Sequence, residues 1–413
     1  MRALCLLILL AGGGCIDSDL GVGGASPFTC DDGSCPNGYH CAASLCIAEG
    51  AAVPPVLIAA TSLADAIAIP LWSGTAFTAI WQDSVSGDTA GIKLATVDRS
   101  MLGTSTLIAA ETAPVQFSAI FEPQSRRFVV ASARNDQLAT ELRVQSTTGA
   151  ESPTVNLVET HPASPIGFSR PALAARLDGT VTLAYTRGDP PTLASQNLFC
   201  SRLSLSGGVA VTCGPKLTMS QFASEVTVVE FQRATGFHYL VGETIADIEL
   251  PNGKNVSQVV ENTVHTEKII NINQALGSFA VVAQTVVDGS VSWEVRIGSA
   301  SVAGESNSAP VLSIPSGGVV PDVDGDGAGG VVVCLGNPDG SASLVSYGPV
   351  SSDVASAGLE RRATRGIPRY SLAPIESCRI AVAKETQTVG VLWRERVPPA
   401  TGKLYFTTLP LFP

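Results

Sequence analysis

The chain has 413 residues, of which 45% are hydrophobic and only 15% charged, with 40 Gly and 26 Pro. Charged residues are too scarce to solvate the faces of a helical bundle, and Gly and Pro break helices too often. The apolar content in turn excludes a disordered chain. Lys plus Arg number 25 against 36 Asp plus Glu, a net charge of −11. That sign excludes a general nucleic-acid binder, whose affinity comes from clustered cations releasing counterions.

The chain opens with Met1-Arg2, an apolar run from Ala3 to Ala11, and Gly12-Gly13-Gly14 ahead of Cys15. One positive charge, a short apolar core and small residues are the parts of an export signal. The run is too short for the ~20 apolar residues that a membrane-spanning helix needs. Leu9-Leu10-Ala11-Gly12-Gly13-Gly14-Cys15 resembles the lipobox of bacterial lipoproteins. The resemblance implies that residues 1–14 are a signal peptide and that Cys15 becomes an acylated mature N-terminus, with its acyl chains (palmitate among them) in a membrane. The residue after the cysteine is Ile16. The Asp that resembles an inner-membrane retention signal is missing there, so the resemblance implies lipid anchoring at the outer membrane, facing the periplasm or the cell surface. An ordinary secretory signal with Cys15 incidental is the alternative.

Residues 15–29 read as a linker. Of ten cysteines, Cys5 leaves with the signal and Cys15 with the lipid, so eight remain. An even number in an exported chain points to disulfides. Cys30, Cys35, Cys41 and Cys46 fall within residues 30–46, a small stapled module followed by a linker over 47–55. Its spacing around Pro36-Asn37-Gly38 resembles the short cysteine modules that follow lipoboxes in some bacterial surface proteins. Three pairings are open, and a zinc cluster with His40 is the alternative to disulfides. Cys200 and Cys213 flank Ser206-Gly207-Gly208 and suit a stapled hairpin. Cys334 and Cys378 are left to each other by elimination.

From about residue 65 one pattern repeats: short strand, turn, more apolar strand, turn, alternating strand. The apolar second strands are expected at Phe77–Trp81, Phe128–Ser132, Val181–Tyr185, Phe237–Val241, Phe279–Ala283, Val331–Leu335 and Val389–Trp393. Seven copies about fifty residues apart have the period of a propeller blade, four strands with their turns. Third strands are expected at Ile92–Val97, Glu141–Val144, Leu198–Leu203, Val291–Ile297 and Lys403–Thr407, and fourth strands at Ser105–Ala110 and Thr154–Val158. The seventh unit stops after its third strand. Val56–Thr61 is therefore expected to supply the missing outer strand and close the ring. The expected fold is all-β, with residues 56–413 forming a seven-bladed β-propeller preceded by the small disulfide-rich module and the signal peptide. A two-sheet sandwich or two separate β domains is the competing arrangement.

Within this pattern Gly74–Asp83, Ile92–Asp98 and Val389–Glu395 resemble the blade motif of sialidase-like bacterial propellers. The resemblance implies the fold and, as one reading, a glycan-active hydrolase using carboxylates at the propeller mouth. No stretch of the form S-x-D-x-G-x-T-W occurs, so no catalytic residue is carried over. The first reading from sequence is a lipid-anchored binding or scaffolding surface, with a protein or glycan partner unspecified and no catalysis implied.

Asp322-Val-Asp324-Gly-Asp326-Gly-Ala328 is the sharpest candidate for chemistry. Carboxylates at alternate positions and a backbone carbonyl at Ala328 are what a hard cation gathers around a tight turn. The segment resembles the calcium loops of integrin-type propeller repeats and EF-hands, which implies Ca2+ as ligand. Gly330 and Val333 stand where further oxygen ligands would complete the shell, so water would have to fill it. A solvated Asp-Gly turn is the alternative. Gly325–Gly330 also fits G-x-G-x-x-G but lacks the following helix that a dinucleotide site needs. The four histidines, His40, His161, His238 and His265, show no metalloprotease spacing. Arg361, Arg362, Arg365 and Arg369 form a basic cluster, expected as a solvated loop between the last two blades.

Overall fold

The computed structural model describes residues 25–29, 39–42, 45–48, 55–62, 68–83, 91–98, 101–111, 115–135, 139–162, 167–176, 178–188, 196–205, 211–212, 217–219, 228–233, 236–241, 246–250, 254–258, 263–273, 278–300, 306–315, 319–349, 359–368, 373–397 and 401–411. The signal peptide, the lipobox and Cys15 lie outside the described residues. Two units are present, Met1–Pro54 and Pro55–Pro413.

The first unit contains a three-stranded antiparallel sheet of Ala25–Thr29, Tyr39–Ala42 and Leu45–Ala48, with the last strand central. The 39–48 hairpin sets Cys41 opposite Cys46 in its register. Cys30 and Cys35 lie outside the described residues, as do the side chains of Cys41 and Cys46.

The second unit is a β-propeller. Its antiparallel sheets follow in chain order as residues 68–110, 116–162, 167–219, 228–258, 263–315, 322–366 and finally 375–410 joined by 56–62. Side chains are described in six of these sheets; for 228–258 the backbone pairing alone is described. The inner strands Ala68–Trp72, Gln116–Glu122, Ala172–Ala175, Val228–Arg233, Thr263–Asn273, Asp322–Gly325 and Ile375–Ala383 each lie against the next, and the last returns to the first. No helix occurs among the described residues.

The sequence builds this arrangement through two-sided burial. A second strand lies between two neighbouring sheets, so both of its faces are apolar: Phe77–Gln82 is buried at every position. Alternate residues serve opposite neighbours, because strand side chains alternate between faces. Phe77, Ala79 and Trp81 pack toward the last sheet, whereas Ile80 packs with Phe117 and Val130 of the next. In the same way Val332 and Cys334 face the last sheet, while Val331 and Val333 face the sheet before them.

Closure follows the expected route. The strand Val56–Ser62 pairs with Thr401–Pro410, with Val56 opposite Phe406 and Ser62 opposite Gly402. It supplies the outer strand that the C-terminal segment lacks and covers an edge that would otherwise recruit other chains. Gly390, central in the last sheet, lets the Phe77 ring approach. A Cβ there would stand 2.6 Å from Phe77 Cδ1 and 2.8 Å from Phe406 Cζ. Gly390→Ala is therefore expected to destabilise the ring by about 1–3 kcal/mol through overpacking, read as a lower urea midpoint with unchanged slope. Adding Phe77→Leu should restore part of the loss.

Cys334 and Cys378 form a disulfide, with Cα atoms 6.2 Å apart. It ties the second strand of one sheet to the inner strand of the next. In the 167–219 sheet Ser201 pairs with Thr212, which brings Cys200 to the end of the chain segment leading to Cys213; Cys213 itself lies outside the described residues. The basic cluster differs from expectation. Arg361, Arg362 and Arg365 sit on the outer strand Leu359–Gly366 and not in a loop. Exposed charges on an outermost strand guard it against edge pairing, and Arg365 donates to the Pro410 carbonyl at 2.6 Å. Arg369 lies outside the described residues.

Candidate active site

A cavity of about 550 Å3 is lined by inner-strand residues of six sheets: the runs 68–72, 118–121, 170–175 and 267–270, then Asp322 and Asp324, then residues from Arg379 to Glu385. The inner strands Asp322–Gly325 and Ile375–Ala383 lie in step with each other. Ile380 N donates to Asp322 Oδ2 at 2.8 Å, and two residues on Val382 N donates to Asp324 Oδ2 at 2.7 Å. Asp322 and Asp324 share one face of their strand by the period of two. Their carboxylates thus serve amides that have no ladder partner across the gap between blades.

Five charged side chains meet in the lining of this cavity. Arg379 pairs with Glu267, and Arg170 Nη1 lies 3.6 Å from the same Glu267 oxygen. Lys268 Nζ stands 2.9 Å from Asp322 Oδ1, and Arg379 Nη1 3.8 Å from it. Arg170 is held from behind by a hydrogen bond of its Nε to the Phe117 carbonyl at 3.3 Å. The side chains of Asp322 and Glu267 are 1% and 8% exposed. Burying charge so deeply is costly unless it is paired, which is why cations and anions arrive here together.

Asp324 differs from the others. It stays half-buried and opens on the cavity. Burial pushes its carboxyl above the usual carboxylate range, against the opposing pull of Lys268, the Val382 and Gly325 amides, and Lys384. The site therefore holds carboxylates in two environments: Asp324, biased toward the protonated form, and Glu267, clamped between two guanidinium groups. Where the strands Ala68–Trp72 and Ile375–Ala383 finish, Trp72 Nε1 donates to Glu385 Oε2 at 2.9 Å, beside Lys384.

Of the calcium candidates, the structure brings Asp322 and Asp324 to the cavity and directs Asp326 elsewhere. Asp326 Oδ1 accepts the amides of Ala328 at 2.7 Å and Gly330 at 2.8 Å, capping its turn. Ala328 enters through that amide. Other turns are capped in the same way: Glu122 accepts the amide of Ser125 at 2.6 Å, and Asp339 that of Ser341 at 2.9 Å. The three aspartates diverge because Asp322–Gly325 is a strand and not a loop. Among the described residues no group of three His, Cys, Asp or Glu side chains is placed to hold a metal ion. The segment expected from sequence as a calcium loop is an inner strand, Asp322–Gly325, followed by a turn that Asp326 caps. His238 lies on the strand Gly236–Val241, with its side chain outside the described set.

Arg170, Glu267, Lys268 and Arg379 escape a motif search because they stand far apart in sequence. Their one sequence signal is a charge inside an apolar inner strand, as in Glu267-Lys268-Ile269-Ile270 and Arg379-Ile380-Ala381-Val382.

No protein-family model and no curated protein matches the chain. Solved structures do. An alpha-L-arabinanase of Penicillium chrysogenum, complexed with arabinobiose, is similar with a TM-score of 0.50 at 10% identity, over 87% of this chain and 98% of that one. The likeness shows an arabinanase-like β-propeller fold. The GH93 alpha-L-arabinofuranosidase of Fusarium graminearum matches with a TM-score of 0.48 at 10% identity, covering 86% and 96% of the two chains. A subtype N10 neuraminidase-like protein of A/little yellow-shouldered bat gives 0.42 at 9% identity, over 87% and 99%.

Proposed function

We propose that this protein is a glycan-active hydrolase whose reaction takes place in the axial cavity. The observation that carries the proposal is the meeting of Glu267, Asp322 and Asp324 with Arg170, Lys268 and Arg379 in a closed ring of inner strands. Glycoside hydrolysis needs a carboxylic acid that protonates the leaving oxygen and a carboxylate that activates water or attacks the sugar. Different environments for the two groups divide those roles. Asp324, raised by burial, is the acid. Glu267, paired with Arg379 and Arg170, is the base or nucleophile, and Asp322 orients Lys268 and Arg379. In the overall reaction the glycosidic C–O bond breaks, the leaving oxygen takes the Asp324 proton, and water supplies hydroxide to the anomeric carbon and a proton to the enzyme. The fold likeness to an arabinanase bound to arabinobiose supports a furanose or pyranose polymer as substrate class.

The ring is read as seven-bladed, supported by the succession of sheets around the axis and by closure through Val56–Ser62. Export is part of the proposal, with Cys15 acylated at the outer membrane and the cysteine module between anchor and ring. Intact mass of detergent-extracted protein would report both acylation and oxidised cysteines.

A binding surface without turnover is the second reading. It is favoured by one observation: Asp322 and Asp324 each already accept a backbone amide. A survey of arabinan, xylan, cellulose-derived and sialylated substrates for new reducing ends separates the two. Release by the wild type and loss with Glu267→Gln is the expected result; binding with no release by either protein would favour the second reading.

A further inference from the structure

The cavity has a second end that the hydrolase reading leaves unused. Trp72 ends the strand Ala68–Trp72 and Glu385 lies just past the end of Ile375–Ala383, whereas Arg379 and Glu267 lie mid-strand. The step from Arg379 to Ala383 alone covers ~13 Å at about 3.3 Å per residue. That is longer than a single sugar ring. The far end is built rigidly. Trp72 packs against Phe77 with ring centroids 4.8 Å apart and planes tilted by 52°, and the Phe77 ring in turn contacts Phe406. The Trp72 indole N–H is fixed by Glu385, and each residue borders a tight turn. Ser73 Oγ bonds the Ala76 carbonyl at 2.9 Å, and Gln387 Nε2 bonds the Lys384 carbonyl at 2.6 Å. Lys384 covers Gly327 of the neighbouring turn with its methylenes.

An indole ring held by its polar edge keeps its apolar face for a ligand, and a neighbouring carboxylate and ammonium supply an acceptor and donors for hydroxyls. We propose that Trp72, Glu385 and Lys384 form a saccharide platform at the far mouth, so that the cavity takes a chain of sugars along its axis and not one terminal ring. This rests on the hydrolase reading for its substrate class.

Tryptophan fluorescence tests it without a mutation. Of the four tryptophans, Trp81, Trp293 and Trp393 are buried and Trp72 is half-exposed, so acrylamide quenching reports Trp72. The probes are arabino-, xylo- and cello-oligosaccharides from dimer to hexamer, with affinity measured by calorimetry. In the series that binds, the hexamer should protect Trp72 from acrylamide and the dimer should not. Trp72→Ala and Glu385→Ala should each weaken the hexamer about tenfold and leave the dimer unchanged. A hexamer that binds without protecting Trp72 and is indifferent to Glu385→Ala would overturn the platform while leaving the hydrolase reading intact. Failure of every saccharide to bind or be cleaved would overturn both.

Discussion

Asp324→Asn is expected to lower kcat on unactivated glycosides by about 10²–10⁴-fold, the usual contribution of a positioned general acid. Dinitrophenyl glycosides, whose leaving group departs without a proton, should be cleaved at a nearly undiminished rate, whereas Glu267→Gln should fail on both substrates. The pH profile carries the same information. Burial raises the Asp324 carboxyl, so the wild type should keep its acid protonated above the ordinary carboxylate range and lose kcat/KM as pH rises through that raised value. The alkaline limb should vanish in Asp324→Asn. The sign for stability is the same: a group raised on folding stabilises the native state below its unfolded value and loses that contribution as pH climbs. Thermal melting across pH should therefore fall less steeply in the variant. Equal losses on activated and unactivated substrates would assign Asp324 to positioning.

Breaking the Cys334–Cys378 bond should cost the ring about 4 kcal/mol, from the loop-closure entropy of a 44-residue separation. The bond joins the 322–366 sheet to the last sheet, which also holds the closing strand. Both sulfur-bearing residues are buried among Val332, Leu344, Ile380 and Val391. Cys334→Ser with Cys378→Ser should lower the urea midpoint sharply, and reductant should lower the wild type toward the variant only after slow opening. A midpoint unmoved by the double substitution would mean that the sheets are held by packing alone.

The propeller was legible in sequence because its second strands are sandwiched between sheets and must be apolar on both faces. Val331-Val-Val-Cys334 and Phe279-Ala-Val-Val-Ala283 announce themselves in any hydropathy reading. The closing strand was legible because the C-terminal unit runs out one strand short. The inner strands were harder to see. They are short, carry the charges of the site and face a cavity, so Thr266-Glu267-Lys268 and Cys378-Arg379 give no continuous apolar signal. The three aspartates are placed by a related rule. Spacing of two places carboxylates around an ion only where the backbone curls, and the same spacing on a strand aligns Asp322 and Asp324 toward the neighbouring blade. Arg361 and Arg362 look like loop residues in sequence because an edge strand and a loop share exposure and charge.

Hydrolysis of the polysaccharide that binds best, run in heavy-oxygen water and read by mass spectrometry, tests the central claim most directly. The account predicts heavy oxygen on the anomeric carbon of each new reducing end with the wild type, and none with Glu267→Gln. Label entering equally with both proteins, or an unshortened, unlabelled polymer with the wild type, would contradict it.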